Sequence, residues 1–223
     1  MGLSHSPRIV TSGLVLCLDA GNTRSYPGSG TTWTDLASGL IGTLTNGPTY
    51  SSSNGGSIVF DGLNDQVTIP ANSIFNFGTG DFTIEAWIYW DGTYSSLGRV
   101  IYATGGSASL DQFGIFSDSS PAYLYFGGIG TGTSTPPANS WSQIVASRIG
   151  TTLRLYINAA QSASGTQASS IGSSVGTAYV GIRADGNHPF KSNISCLRIY
   201  KGKGLTAAEI LQNFNALRGR YGI

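Results

Sequence analysis

Residues 57–88, SIVFDGLNDQVTIPANSIFNFGTGDFTIEAWI, decide how the rest of the chain is read. Ile58 and Phe60 alternate with Ser57 and Val59. The alternation resumes at Val67 and Ile69 after the turn residues Asp61-Gly62-Leu63-Asn64-Asp65. In a second run Phe82, Ile84, Ala86 and Ile88 share one face, with Thr83, Glu85, Trp87 and Tyr89 on the other. A period of two in β-branched and aromatic residues, bounded by turn formers, predicts β-strands. Trp87 and Tyr89 make the second face apolar too, so this strand is expected to be covered on both sides.

Outward from this block the same pattern recurs. It predicts strands at 14–18, 57–61, 66–70, 82–90, 98–103, 112–116, 122–127, 141–149, 152–158, 178–183 and 193–200. Turn signals stand at Asn46-Gly47-Pro48, Asn54-Gly55-Gly56 and Asp91-Gly92. Many short strands argue for a sandwich or barrel. Trp33, Leu36, Leu40, Ile41 and Leu44 are expected to enter the core after a loop over 22–33. Residues 127–139, GGIGTGTSTPPAN, read as irregular, and 159–175 as a long loop or a weak edge strand.

The period changes at the C-terminus. Thr206-Ala207-Ala208-Glu209 is a capping box. Ile210, Phe214 and Leu217 follow as an i, i+4, i+7 stripe with Leu211 beside it, and Arg218 and Gly219 suit a helix C-terminus. One short helix is expected to dock by that stripe. The chain divides into an extended arm, 1–12, and a single domain, 13–223.

Composition narrows the function. The 223 residues suffice for one large sandwich with a substantial core. Charged residues are 10% of the chain, against about 25% in ordinary domains, and the net charge is +1. No basic patch supports nucleic-acid binding, and no stretch reads as a membrane span. Gly13 to Leu18 is too short for a signal core, so synthesis in a cytoplasm is expected. Cys17 and Cys196 lie in the first and last strands. Those strands are expected near one another, with the thiols read as free.

The pattern FDG-x-x-D-x-V-x-I-P at 60–70, followed by FTIEAWI, resembles the laminin G-like, concanavalin A-like jelly rolls. The ends, SGLVLCLDAGNTRSYPGSGTTWTDL and LRIYKGKGLTAAEILQNFNALRGRYGI, with NSWSQIVASRIGTTLRLYIN between, resemble a laminin G-like group common in virion proteins of tailed bacteriophages. The resemblance implies an all-β fold, a two-sheet antiparallel jelly-roll sandwich with one short C-terminal helix. It also implies a non-catalytic virion protein made in the host cytoplasm, as a capsid decoration or tail-fibre component. Its partners would be other capsid or tail proteins, or a second copy of the chain. The alternative is a host-recognition adhesin that binds a cell-surface glycan, and the third reading is a glycoside hydrolase. Ser142 and Gln143 follow Trp141 where related jelly rolls often carry a His.

Each chemistry needs particular residues. A glycosidase needs paired carboxylates, yet Glu85 and Glu209 are the only glutamates, and Glu209 serves the helix cap. His5 and His188 lie in loop-like segments without a G-x-S-x-G elbow, which disfavours a serine triad. Glycan binding would use exposed aromatics with polar partners. Trp90, Tyr94, Tyr123 and Tyr125 are the candidates, with Arg183, Asp185, Asn187 and His188 in one loop. The other reading of such aromatics is core. The resemblance admits a structural calcium ion, for which Asp61, Asn64 and Asp65 form the best local oxygen cluster. Turn-making is the other reading. In the arm, Pro7 and the Ile9-Val10 pair give a stiff, partly apolar segment. It is expected to gain little on its own sandwich and to anchor the protein to its assembly.

Overall fold

The computed structural model describes residues 7–93, 98–104, 111–116, 123–131, 134–172 and 176–223. The strands in chain order are β1 (Leu14–Asp19), β2 (Thr32–Thr34), β3 (Ile41–Thr45), β4 (Thr49–Ser51), β5 (Ser57–Asp61) and β6 (Gln66–Ile69). Then come β7 (Phe82–Trp90), β8 (Arg99–Thr104), β9 (Gln112–Phe116), β10 (Tyr123–Phe126) and β11 (Ile129–Gly130). Last are β12 (Ser140–Ile149), β13 (Thr152–Ile157), β14 (Ala160–Thr166), β15 (Ala178–Val180) and β16 (Lys191–Lys201), followed by helix α1 (Ala207–Tyr221).

Among the described residues these strands form two eight-stranded antiparallel sheets. Sheet A runs β14-β13-β12-β7-β16-β5-β4, with β1 also paired to β16, and sheet B runs β11-β10-β9-β8-β15-β6-β3-β2. The N-terminal part of β16 pairs with β5 through Lys191–Ile194. Past a bulge at Ser195 its remainder pairs with β1 through Cys196–Tyr200. The inward alternation predicted for the 57–88 block is observed. Ile58, Phe60, Val67, Ile69, Phe82, Ile84, Ala86 and Ile88 all belong to the core between the sheets.

Arg148 closes one end of this core. It is buried, donates to the carbonyls of Gly78, Gly80 and Ser169, and stacks 4.8 Å over the Phe82 ring. A guanidinium suits the task because it can satisfy several carbonyls at once.

Helix α1 covers the outer face of sheet A. Trp87 lies nearly parallel to Phe214 (5.7 Å, 6°) and Tyr221 (4.2 Å, 19°). The predicted capping box is present in full. Three details differ from the sequence reading. Leu211 is 48% exposed, whereas Asn213 is fully buried in the stripe. The helix runs through Gly219 and ends at Gly222, whose left-handed φ of 75° closes it. Glycine takes that conformation without a Cβ clash.

Leu36 (37%) and Ile41 (42%) are exposed rather than core, while Trp33 and Leu44 are buried and Leu40 packs against the core. In β3 the inward positions are Gly42 and Leu44, which turns Ile41 outward. Residues 160–166 are an edge strand of sheet A, and Ile129–Gly130 pairs briefly with β10 inside a stretch read as irregular.

The N-terminal segment differs most. It was expected to stay off its own sandwich, but Val10 is docked. Its amide donates to Asn213 Oδ1 (2.8 Å), and its carbonyl accepts from Tyr200 Oη (3.0 Å). The Arg8 carbonyl accepts from Gln212 Nε2 (2.7 Å). The buried Asn213 is what draws the segment back, since its amide needs partners out of water. Pro7 is exposed and Ile9 half-buried.

Candidate functional site

The outward side chains of sheet B are shaped by the same alternation that builds the core. Leu124 and Phe126 of β10 point inward, which turns Tyr123 and Tyr125 outward, both half-buried. Phe113 and Ile115 of β9 point inward, so Phe116 at the end of that strand turns outward as well. Tyr123 meets Tyr125 at 6.4 Å and 71°. Tyr125 meets Phe116 at 5.2 Å and 62°, and Phe116 meets His188 at 5.7 Å and 48°. Four rings thus form a continuous row across β10, β9 and the loop before β16.

That loop is internally braced. The amide of Gly186 donates to the Arg183 carbonyl (2.9 Å) and the amide of Arg183 to the Asn187 carbonyl (3.0 Å). Arg183 grips Asp185 through both guanidinium arms, with Nε to Oδ1 at 2.8 Å. This holds the Asp185 carboxyl well below the usual carboxylate range. The pair is exposed, so water weakens it. His188 adopts φ 59°, a region His tolerates better than most side chains. Burial, then the Arg183 charge, push its pKa down, so the imidazole is neutral at neutral pH.

Along β3, β6, β9, β10 and β15 the outward positions are Ile, Thr, Gln, Gly, Phe and Tyr, with no charged side chain. A face of half-exposed rings with hydroxyl and amide groups suits a ligand that is apolar on its faces and hydroxylated at its edges.

The predicted site residues divide. Tyr123, Tyr125, Arg183, Asp185, Asn187 and His188 fall together around this row. Tyr94 lies outside the described residues. Trp90 is a correction: it is 2% exposed and belongs to the core. It shares the inward register of Ile88, two residues earlier. Phe116, the ring that joins the tyrosines to His188, was missed, although the alternation of QFGIF carries the signal.

Asp61, Asn64 and Asp65 make a turn. Asp65 accepts the Asp61 amide (2.8 Å), Asp61 accepts the Leu63 amide (2.7 Å), and the Asn64 carbonyl accepts Asn46 Nδ2 (2.9 Å). Burial pushes the Asp65 carboxyl up. These oxygens serve the loop itself, and among the described residues no three His, Cys, Asp or Glu gather as a metal site.

Each of the ten described carboxylates is engaged inside the fold. Glu85 is 1% exposed beneath α1. It pairs with Arg198 (3.1 Å) and accepts Gln143 Nε2 (3.1 Å) and Asn213 Nδ2 (2.6 Å). Asp19 pairs with Arg220, Asp91 with Lys191, Asp185 with Arg183 and Glu209 with Lys203. Asp35, Asp61, Asp65, Asp81 and Asp111 accept backbone amides. Cys17 and Cys196 lie on the outer face of sheet A, opposite Arg198 and Asp19 in register. Both are free and buried, and burial pushes both thiols up, which leaves them protonated.

The family described as the concanavalin A-like lectin/glucanases superfamily matches residues 60–211. None of the curated proteins matches the chain. Among solved structures, domain 4 of AbnA, a GH43 extracellular arabinanase from Geobacillus stearothermophilus seen in complex with arabinotriose, is similar. It has 17% identity and TM-score 0.69, over 91% of this chain and 98% of that one. The binding domain of Paraclostridial Mosquitocidal Protein 1 is similar at 17% identity and TM-score 0.69, over 92% of this chain and 52% of that one. Trypanosoma rangeli sialidase is similar at 16% identity and TM-score 0.68, over 93% of this chain but only 34% of its own. At these identities the likeness is one of fold.

Proposed function

From the chain's membership of the concanavalin A-like lectin/glucanase superfamily, we propose that it is a non-catalytic recognition module that binds a neutral glycan on the outer face of sheet B. The observation that carries this reading is the row Tyr123–Tyr125–Phe116–His188 on an uncharged face. Tyrosine and histidine rings can pack on the C–H faces of sugars, and the Arg183–Asp185–Asn187 loop can hold hydroxyls. The engagement of the described carboxylates in turns, caps and ion pairs supports the non-catalytic reading, since most glycosidases use two acids that flank one bond.

The setting we propose is the virion of a tailed phage, as a capsid decoration or fibre component. Its support is the resemblance of both chain ends and of 139–158 to that group of jelly rolls. Mass spectrometry and immunogold microscopy of purified particles test the setting separately from the binding.

Arabinotriose, found with domain 4 of AbnA, is a fitting first probe, followed by an array of neutral oligosaccharides. Wild-type protein is expected to bind at least one of them. Tyr125→Ala should weaken that binding about tenfold, or ~1.4 kcal/mol, with little change in melting temperature because the ring is half-exposed. No reducing ends should be released. Binding that survives loss of both Tyr123 and Tyr125 would place the glycan elsewhere, and steady hydrolysis would make the protein an enzyme.

A further inference from the structure

The outer face of sheet A is not wholly closed by α1. Beside the last turn of the helix a pocket of about 140 Å³ opens, lined by Ser53, Asn54, Ser57, Tyr89, Trp141 and Asn193. Its floor is one rung of the sheet. Trp141 of β12 stands opposite Tyr89 of β7, and Tyr89 stands opposite Asn193 of β16. An indole, a phenol and a carboxamide therefore sit side by side over roughly 10 Å, two strand spacings.

The wall is rigid. Arg220 donates to the carbonyls of Asn54 (3.3 Å) and Gly55 (3.4 Å), and is itself held by Asp19 (2.8 Å) and Ser195 Oγ (3.0 Å). Asn54 is held in the left-handed region (φ 49°, ψ 37°). Asn193 Nδ2 donates to Ser57 Oγ (2.9 Å), which fixes the carboxamide. Among the described residues, the Tyr89 hydroxyl, the Trp141 indole N–H and the Asn54 carboxamide find no hydrogen-bond partner.

We propose that this pocket is a second ligand site and that it takes a single neutral sugar ring. The lining carries no charge, which disfavours an ionic ligand. Tyr89 and Trp141 meet at 67°, so no parallel pair of rings exists to sandwich a flat heteroaromatic. The volume is well below the roughly 300–1,000 Å³ of sites for larger ligands. Two ring edges and a rim of amides and hydroxyls match one sugar, with its C–H face and its hydroxyls. The site lies on the side of the sandwich opposite the ring row, so the inference does not rest on the function proposed above.

The test is a titration of ¹⁵N-labelled full-length protein with methyl glycosides of glucose, galactose, mannose, arabinose and N-acetylglucosamine. The Trp141 indole signal is the reporter: Trp141 is itself largely buried (7% exposed) but lines the pocket, whereas Trp33, Trp87 and Trp90 do not. A saturable shift in the millimolar range is expected with at least one glycoside. Asn54→Gly keeps the backbone conformation and removes the carboxamide. Tyr89→Phe keeps the ring and removes the hydroxyl. Each should weaken the response about tenfold, and Tyr125→Ala should leave it unchanged. No saturable shift of Trp141 with any glycoside would overturn the proposal. So would a shift indifferent to both pocket variants, or one abolished by Tyr125→Ala.

Discussion

Arg198→Met is expected to destabilise the protein by about 3–5 kcal/mol, the usual result of stranding one partner of a buried ion pair. Arg198 and Glu85 are 2% and 1% exposed, 3.1 Å apart, and covered by α1. Glu85 also accepts from Gln143 and Asn213, and Asn213 donates to Tyr200 as well. Methionine fills much of the arginine's volume but leaves the carboxylate charge without a cation in a place water does not reach. The double variant Glu85→Met with Arg198→Met should recover most of the loss, because well-packed apolar replacements of such pairs are often neutral. Urea denaturation of the three proteins measures this. A double variant as damaged as the single one would show that the loss lies in packing, not in the stranded charge.

Phe214→Ala is expected to cost about 3–5 kcal/mol, within the range for buried aromatic truncations. Phe214 lies 5.7 Å from Trp87 in parallel planes, and Arg218 lies 5.8 Å over its ring. Its loss opens a cavity in the layer where α1 meets Trp87 of sheet A. Thr206→Ala removes one capping hydrogen bond and should cost only about 1 kcal/mol. Urea midpoints of the two variants decide between stack and cap as the main support of the helix. Equal losses would mean that the stack contributes no more than the cap does.

Much of the framework was legible because inward residues alternate cleanly. The alternation at 58–60, 67–69 and 82–88 marked the inward faces of β5, β6 and β7 correctly, and Thr206 with Glu209 announced the helix. What escaped did so for identifiable reasons. Strands β2, β3 and β4 are short and rich in Thr, Gly and Ser, so they offer little hydrophobic contrast. Asn213 is a polar residue inside an apolar stripe, and nothing local shows that Glu85, far earlier in the chain, requires it. Trp90 was within reach, since it continues the parity of Ile88. The ring row was half-legible: Tyr123 and Tyr125 share a strand face, whereas their contact through Phe116 to His188 depends on which strands become neighbours. The pocket was not legible. Trp141, Tyr89 and Asn193 meet only because three strands align in one register, and register is set by the whole sheet.

The position of β16 governs when the fold can form. It is the last strand of the chain, yet it stands inside sheet A with β7 on one side and both β5 and β1 on the other. Leu14 must wait for Tyr200 before its edge is paired. Until residues 191–201 have left the ribosome, β1, β5 and β7 lack their common neighbour, and β7 carries large apolar side chains on both faces, Trp87 among them. Such long-range pairing folds slowly and leaves sticky intermediates during synthesis. The nascent chain is therefore most exposed to misassembly in the interval just before its final strand arrives, and its yield in a cell depends on how well that interval is guarded.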